Sequence, residues 1–561
     1  MEGNRPGEQD ENAYAGRWVA RLRGRIVAQG GTPEQVRRAA QSRYKETPQV
    51  VFMPNSYPLS FPPLLDSVRA ALPEGLTVYL VGGAVRDALL GRPIHDLDFA
   101  LARDAIKTSR QVADALSRSK DVNITKADFY PLDADRDTGR VIVTNADGAR
   151  TTMDFAAFRG ADLETDLNGR DFSLNAIALD LRDNSLHDPL NGAMDLKEKR
   201  LRACSPSAFT DDPARILRGV RLAAQFGFHI LPETRKAMKE AAGRLGKVSP
   251  ERLRDELFRI LDGPSPAACI RALDLLGALE EILPELTGLK GVEQRPPHVH
   301  DVWEHTLAVL NHLEAILSAL APAYDEEKSA DLFNGLLVLQ LGRFRHQLSE
   351  HLAQPVTAER PMRGLLFLAA LYHDIAKPTC KEIDENGQAR FWGHDVQGAE
   401  MASVRARGLV LSNEETQRLE TIIRNHMRPL FHVNRLTDEQ KAPSRRAVYR
   451  FFRDTGPAGV DTCILELADL RASYEQTLPQ GTWAAALEGV CAFLQNWYEK
   501  PAESIAPPAL MDGNDLMREL TLKPGKQIGF LLESIREAQA VGEISTRDEA
   551  LRLARKLRDE K

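Results

Sequence analysis

Cysteine is scarce in this chain and never closely paired: five residues in 561, at positions 204, 269, 380, 463 and 491, with no C-x-x-C. That spacing argues against a zinc ribbon and for a reducing cytoplasm. Long apolar runs are missing too; none approaches the roughly twenty residues of a membrane span. Glu2, Glu8, Asp10 and Glu11 precede any apolar stretch, which argues against a secretory signal. There is no excess of positive charge. With a formal net charge of −7, affinity for nucleic acid has to come from local patches. Internal repeats and low-complexity tracts are absent.

What is present reads as globular: 43% hydrophobic and 27% charged residues, in a chain long enough for three to five compact units. Two stretches are locally basic. Leu196 to Ile260 holds 15 Lys/Arg against 8 Asp/Glu, a possible RNA track. Arg17 to Lys45 holds eight basic residues against Glu34 alone, and is either an RNA-binding arm or a solvated extension. Hydropathy periodicity divides the chain into a basic extension (1–62), an α/β head with a small mixed sheet (63–187), and a large all-α remainder. That remainder comprises a neck and body (188–297), a helical domain (298–500) with an insertion at 318–360, and a tail (501–561). Strands are expected at Val78–Val81, Asp98–Ala102, Val141–Thr144, Thr152–Phe155 and Ala176–Leu181. Residues 133–149 read as a polar hairpin and loop.

The most informative string runs from Leu80 through Gly82-Gly83, Arg86-Asp87 and Gly91 to Asp96-Leu97-Asp98. An apolar strand enters a Gly-Gly turn whose backbone N–H groups approach a phosphate closely, at a helix start. Asp96 and Asp98 alternate along a strand, so both carboxylates face one side and can share two Mg²⁺ ions. Such a pair activates a hydroxyl and stabilises a departing pyrophosphate. Asp154, with Arg159 just beyond it, is a weaker candidate for a third carboxylate.

This string resembles the GG-x-V-R-D-x-x-L-G-x-x-x-x-D-x-D signature of the class II tRNA nucleotidyltransferase (CCA-adding) and bacterial poly(A) polymerase superfamily. Two further segments carry the resemblance. Gly169-Arg170-Asp171-Phe172 is similar to the family's R-R-D-F motif, with Gly169 in place of its first arginine. Asp211-Asp212-Pro213-Ala214-Arg215 resembles E-D-x-x-R, with Asp211 in place of the glutamate. The resemblance implies that Gly82, Gly83 and Arg86 hold phosphates, that Arg170 and Asp171 hold the sugar-phosphate, and that Asp212 and Arg215 pair with the incoming base. Arg218 and Arg221, on the same helical face, would reach the triphosphate or the primer. Cytosine and adenine both place an amine donor beside a ring-nitrogen acceptor, which Asp212 and Arg215 complement. Uracil and guanine leave buried groups unpaired, at roughly 1–3 kcal/mol each.

A second constellation is His305, His373-Asp374, His394, His426 and Asp469, with Lys377 following. Histidines and carboxylates from several helices suit a metal ion that activates water. The pattern resembles the HD phosphohydrolase domain, which implies that His305, His373, Asp374 and Asp469 are principal ligands of a divalent metal of undetermined identity. His394 and His426 would extend a binuclear site, and Lys377 would contact phosphate.

The expectation is therefore a cytoplasmic enzyme that adds C or A, or both, from CTP and ATP to a tRNA 3′ end, using Mg²⁺ and no membrane. A second expected activity is hydrolysis at the HD site. The expected flexible loop that separates CC-only from CCA addition lies around residues 130–150. A CC-only, A-only or poly(A) product is the alternative within the family. A metal-dependent HD phosphohydrolase with an RNA-binding head is the alternative outside it, and the intact Asp96/Asp98 pair weighs against it.

Overall fold

The alternation of Leu97, Asp98 and Phe99 governs how the first half of the chain folds. The computed structural model describes residue 14 and residues 16–23, 25–53, 59–119, 123–323, 331–357, 360–429 and 442–559. It divides into two compact units, Met1–Leu245 and Gly246–Lys561. The division falls inside the segment 188–297 that periodicity alone keeps together. Helix Pro232–Ala241 packs on Ala208–Asp211 in the first unit, whereas Pro250–Leu261 packs on Met362–Tyr372 in the second.

The first unit opens with an antiparallel sheet of β1 (Arg17–Leu22), β2 (Arg25–Gly30) and β3 (Gln49–Met53), in the order β2-β1-β3. Helix Pro33–Gln41 covers it with Val36 and Ala40. Residues 1–62 were expected to be an extension, and that expectation is corrected for the described part. The module is docked on the head: the Trp18 indole N–H donates to the Leu186 carbonyl at 2.8 Å, and Gln35 donates to that of Pro189 at 2.8 Å. Gly31 lies so close to the head that a Cβ there would sit 1.4 Å from the Asp188 carbonyl oxygen.

The head sheet contains β4 (Val78–Val81), β5 (Leu97–Leu101), β6 (Ile124–Asp133), β7 (Thr138–Asn145), β8 (Arg150–Ala157), β9 (Ala178–Asp180) and β10 (Leu186–His187). Their spatial order is β10-β9-β4-β5-β8-β7-β6. Every pairing is antiparallel except β5 with β8, so the sheet is mixed, as expected. Parallel register sets Phe99 beside Phe155, whose rings stack at 4.5 Å in the core. The same register necessarily sets Asp98 beside Asp154 on the opposite face. The expected polar hairpin and loop at 133–149 are two successive hairpins that share β7. β6 and β7 extend the sheet, and the turn residue Asp137 accepts from the backbone N–H groups of Ala105 and Ile106, capping the helix Ala105–Arg118.

The second unit is helical, with short hairpins such as Lys381–Ile383 with Ala389–Phe391. Helix Val302–Ala319 packs on Ala458–Tyr474 and on Met362–Tyr372, whose residues other than Arg363 are all buried. Helix His394–Gly408 lies against Asn413–Asn425, which starts with a Ser412/Glu415 capping box. Helices Leu332–Leu341 and Arg345–Ala353 fall within the expected insertion. The tail builds its own small core from Met511, Leu516, Leu531, Ile535 and Ala554.

Candidate functional site

In the first unit, β4 turns into helix Gly83–Leu89 at Gly82, whose φ of +72° is costly for any residue with a Cβ. A Cβ at Gly82 would sit 3.4 Å from Asp98 Oδ2 and 3.5 Å from Arg170 Nη1. The turn therefore backs directly onto a carboxylate and a guanidinium. Asp98 sits opposite Val81 and beside Asp154, whose two oxygens accept from Arg140 Nε and Nη2 at 2.7 and 2.8 Å. Asp96 lies exposed just ahead of β5, outside the strand and two residues from Asp98. Desolvation in the cleft pushes the Asp98 pKa up to about 6, with the Asp154 charge adding to it, Arg170 opposing and Asp96 contributing less.

Arg170 is held by Asp166 at 3.0 Å, and Asp166 also accepts from the Arg159 backbone N–H. Asp98, Asp154, Arg159 and Arg170 line one open cleft of about 810 Å³, whose far wall is the β6–β7 turn with Asp135, Arg136 and Asp137. The structure thus brings Gly82, Asp98, Asp154, Arg159 and Arg170 together.

Arg86 and Asp171 are placed differently from the reading that has them facing phosphate and sugar. The Arg86 guanidinium grips Asp87 at 2.9 and 2.8 Å, donates to Asn175 Oδ1 at 2.9 Å and covers the Phe226 ring. Asp171 is buried and accepts from Phe172 N at 2.7 Å, Asn175 Nδ2 at 3.1 Å and Arg218 Nη1 at 3.2 Å. Burial alone would raise its pKa, but Arg218 and these hydrogen bonds carry it below the ordinary carboxylate value. Arg86, Asn175, Asp171 and Arg218 form one chain that ties helix Gly83–Leu89 to helix Arg215–Phe226. Arg221 donates to Gln225 on the same helix at 3.4 Å.

Arg215 is buried as well, and it staples rather than faces outward. Nη1 donates to the Arg170 and Ala208 carbonyls at 3.1 and 3.2 Å, and Nη2 to that of Gly169 at 3.0 Å. Its Nε lies 3.9 Å from Asp212 Oδ2, so the Asp212–Arg215 couple exists but only the Nε side is left to read a base. Because Arg215 holds the backbone of Arg170, the couple and the Asp98 cleft are joined through a single residue.

In the second unit, six residues from five segments converge. His305 Nε2 is 2.9 Å from Asp469 Oδ1 and 3.6 Å from Asp374 Oδ2, and His373 Nε2 is 3.2 Å from the same Asp374 oxygen. His394 and His426 approach Asp374 Oδ1 at 3.4 and 4.0 Å, and Lys377 Nζ lies 2.6 Å from Asp374 Oδ2. His373, His394 and His426 each place Nδ1 at 2.6–2.8 Å from a backbone carbonyl, of Ala370, Phe391 and Ile423 respectively. That bond fixes the tautomer and aims each Nε2 lone pair inward. Burial, with His394 and His373 adding to it, pushes His426 down to about 4, which keeps its imidazole neutral.

The fit to a metal rests on atoms without partners. The Nε2 atoms of His305, His373, His394 and His426, with Asp374 Oδ2 and Asp469 Oδ1, are buried and make no hydrogen bond. They fall into two ligand groups, His305/His373/Asp469 and Asp374/His394/His426. Buried orphan acceptors are expensive, and a divalent cation satisfies all of them. Sequence reasoning missed His298, whose ring lies 5.1 Å from that of His305, and Gln294, which accepts from Lys377 at 2.6 Å. The signal available was a His-x-His pair two helical turns before His305. It also missed Arg140, which strand alternation opposite Asp154 could have found.

Family models place a poly A polymerase head domain at 78–202, a probable RNA and SrmB-binding site of polymerase A at 227–289, and an HD domain at 302–451. Fold and site together define a nucleotidyltransferase with a poly(A) polymerase-type head and an HD domain. A CC-adding tRNA nucleotidyltransferase of Geobacter sulfurreducens is 30% identical over 505 residues, covering 88% of this chain and 97% of that protein. An A-adding tRNA nucleotidyltransferase of Deinococcus radiodurans is 32% identical over 477 residues, covering 84% and 93%. A CCA-adding enzyme solved with CTP shares the fold at a TM-score of 0.55 and 19% identity, covering 89% of this chain and 96% of that one. The chain belongs to the tRNA nucleotidyltransferase family. Among the described residues, no helix is long and apolar enough to cross a membrane.

Proposed function

We propose that the head transfers a nucleotidyl group from CTP or ATP to the 3′-hydroxyl of a tRNA, in the cytoplasm and without a nucleic-acid template. The observation that carries this reading is the meeting of the Gly82 turn, Asp98 and Arg170 at one end of a nucleotide-sized cleft. Asp96 and Asp98 would hold Mg²⁺, which, when bound, neutralises charge on the reacting phosphate and activates the hydroxyl. Arg170, fixed by Asp166, is aimed at the phosphates beside the Gly82–Gly83 backbone. Asp154, held in place by Arg140, lies beside Asp98 and adds its charge to the desolvation that keeps the Asp98 proton affinity high. Asp212 and the Nε edge of Arg215 accept from and donate to the Watson–Crick edge of the base, admitting C and A. Arg86, Asp171 and Arg218 keep the two sides of this cleft in register.

Relatives named as CC-adding and as A-adding match along nearly their whole lengths, so both products stay open to test. The six-residue convergence in the second unit supports a metal-dependent phosphohydrolase there, with His305, His373, Asp374, His394, His426 and Asp469 as ligands. The test incubates the purified protein with a tRNA transcript that ends at the discriminator base, Mg²⁺ and single labelled nucleotides. Incorporation that Asp98→Ala abolishes and that His373→Ala leaves intact supports two separate centres. Incorporation lost in both variants overturns their independence.

A further inference from the structure

The N-terminal module has a docked end and a charged end, and the topology that separates them is legible strand by strand. Trp18 pairs with Gly30, and Gly31, Thr32 and Gln35 follow; these residues form the end that meets Leu186–Pro189. β1 runs away from this end to Leu22, which pairs with Arg25. Helix Pro33–Gln41 also runs away from it, and the chain returns along β3 from Gln49, which pairs with Arg21. Arg23, Arg25, Arg43, Tyr44, Lys45 and Glu46 therefore meet at the far end, and an Arg23–Glu46 ion pair closes the junction.

All six are exposed, and Tyr44 leaves 44% of its surface open. Glu46 is the one acid in that group and is already paired with Arg23. Arg25, Arg43 and Lys45 have no carboxylate partner among the described residues. The C-terminus of helix Pro33–Gln41 is tied off by Arg43 and Tyr44 N–H groups donating to the Ala40 carbonyl, which fixes the two side chains on one turn. A rigid cluster of cations around an exposed aromatic ring, on a chain of net charge −7, is complementary to a sugar-phosphate backbone with a base free to stack.

We propose that this far end of the N-terminal module, Arg25, Arg43, Tyr44 and Lys45, is an RNA-binding surface that grips the body of the substrate RNA away from the reacting 3′ end. The proposal rests on the reading of the head as a tRNA nucleotidyltransferase for the identity of the RNA. It does not rest on it for the existence of the surface. The cations contact phosphates and release counterions, while Tyr44 stacks on an unpaired base, so the contribution is strong at low salt and tolerant of sequence.

The test measures binding of the full-length protein to fluorescein-labelled tRNA transcript and to an acceptor-stem minihelix, by anisotropy over a KCl series. Arg25→Ala/Arg43→Ala/Lys45→Ala is compared with wild type, and Tyr44→Ala is measured separately. The expected result is a triple variant whose Kd for whole tRNA rises roughly tenfold near 0.15 M KCl, with the slope of log K against log salt shallower by about two to three. Minihelix binding, nucleotide addition to the minihelix and the melting temperature should be unchanged, because the substituted side chains are exposed. Tyr44→Ala should weaken tRNA binding with little change in salt slope. An unchanged Kd and slope for whole tRNA overturns the proposal, as does equal weakening for the minihelix. A wild-type protein that adds no nucleotide to any RNA, yet binds it with the wild-type-to-variant difference intact, refutes the reading of the head and leaves the surface standing.

Discussion

Replacing Arg215 separates the base-reading role that the resemblance implies from the stapling role that the structure adds. If the side chain served only to read a base, Arg215→Ala would alter nucleotide choice and leave folding intact. The structure instead has it donating three hydrogen bonds to the Gly169, Arg170 and Ala208 carbonyls while almost fully buried. Truncation removes the guanidinium from the part-buried Gly169 and Arg170 carbonyls and from the buried Ala208 carbonyl, which keeps the Asp212 backbone N–H as a donor. Hydrogen bonds donated by a charged group contribute about 1.5–3 kcal/mol each, and these three share one guanidinium, so about 4 kcal/mol is a fair sum. In a unit of this size each kcal/mol moves the midpoint by about 2–4 °C, which puts the head transition roughly 10 °C lower. Arg215→Lys keeps the charge but not the planar fork, and should recover less than half of the loss. Calorimetry reports the shift, and hydrogen exchange locates it in residues 163–226. A head transition within 2 °C of wild type, with altered nucleotide choice, would refute the stapling role.

Gly82→Ala should cost about 1–2 kcal/mol from its positive φ and crowd Asp98, so a drop in turnover larger than the drop in melting temperature implies is expected on thermal and kinetic assay. The Asp98 carboxyl, raised to about 6 by burial and by Asp154, must lose its proton to hold metal. Addition should therefore fall about tenfold per pH unit below a midpoint at or under about 6, and that midpoint should move down as Mg²⁺ is raised; a midpoint independent of Mg²⁺ contradicts the assignment. The same raised pKa means that protonation below about 6 relieves an unfavourable charge, so the Asp98 contribution to head stability declines as pH rises through that value. Asp374→Asn should remove the negative charge and one of the two oxygens that His373, Lys377 and His394 surround, lowering metal content by elemental analysis at least tenfold while leaving nucleotide addition unchanged.

The Gly-Gly turn and the Asp98 strand were legible because each is set by local pattern, whereas the candidate HD residues were legible through the resemblance to the HD domain. β4 begins and ends where the apolar run puts it, and the six candidate HD-site residues do meet. The pairing of Asp98 with Asp154 was only weakly legible, since parallel register between strands more than fifty residues apart leaves no local trace. Arg86 and Asp171 were misplaced for a related reason. Whether a charged side chain faces a ligand or a neighbour depends on what the fold brings beside it, and here Asn175 and Arg218 arrive from elsewhere. The N-terminal sheet was missed although β1 to β3 are no shorter than β4, because its fit depends on Gly31 meeting the Asp188 backbone, a contact that leaves no local trace.

The measurement that bears most directly on the central claim is single-nucleotide incorporation into a tRNA transcript ending at the discriminator base, with wild type and Asp98→Ala side by side. CTP or ATP incorporation by wild type, rejection of UTP and GTP, and loss of all addition in the variant is the expected result. Equal use of the four nucleotides, or addition that survives the loss of Asp98, would contradict it.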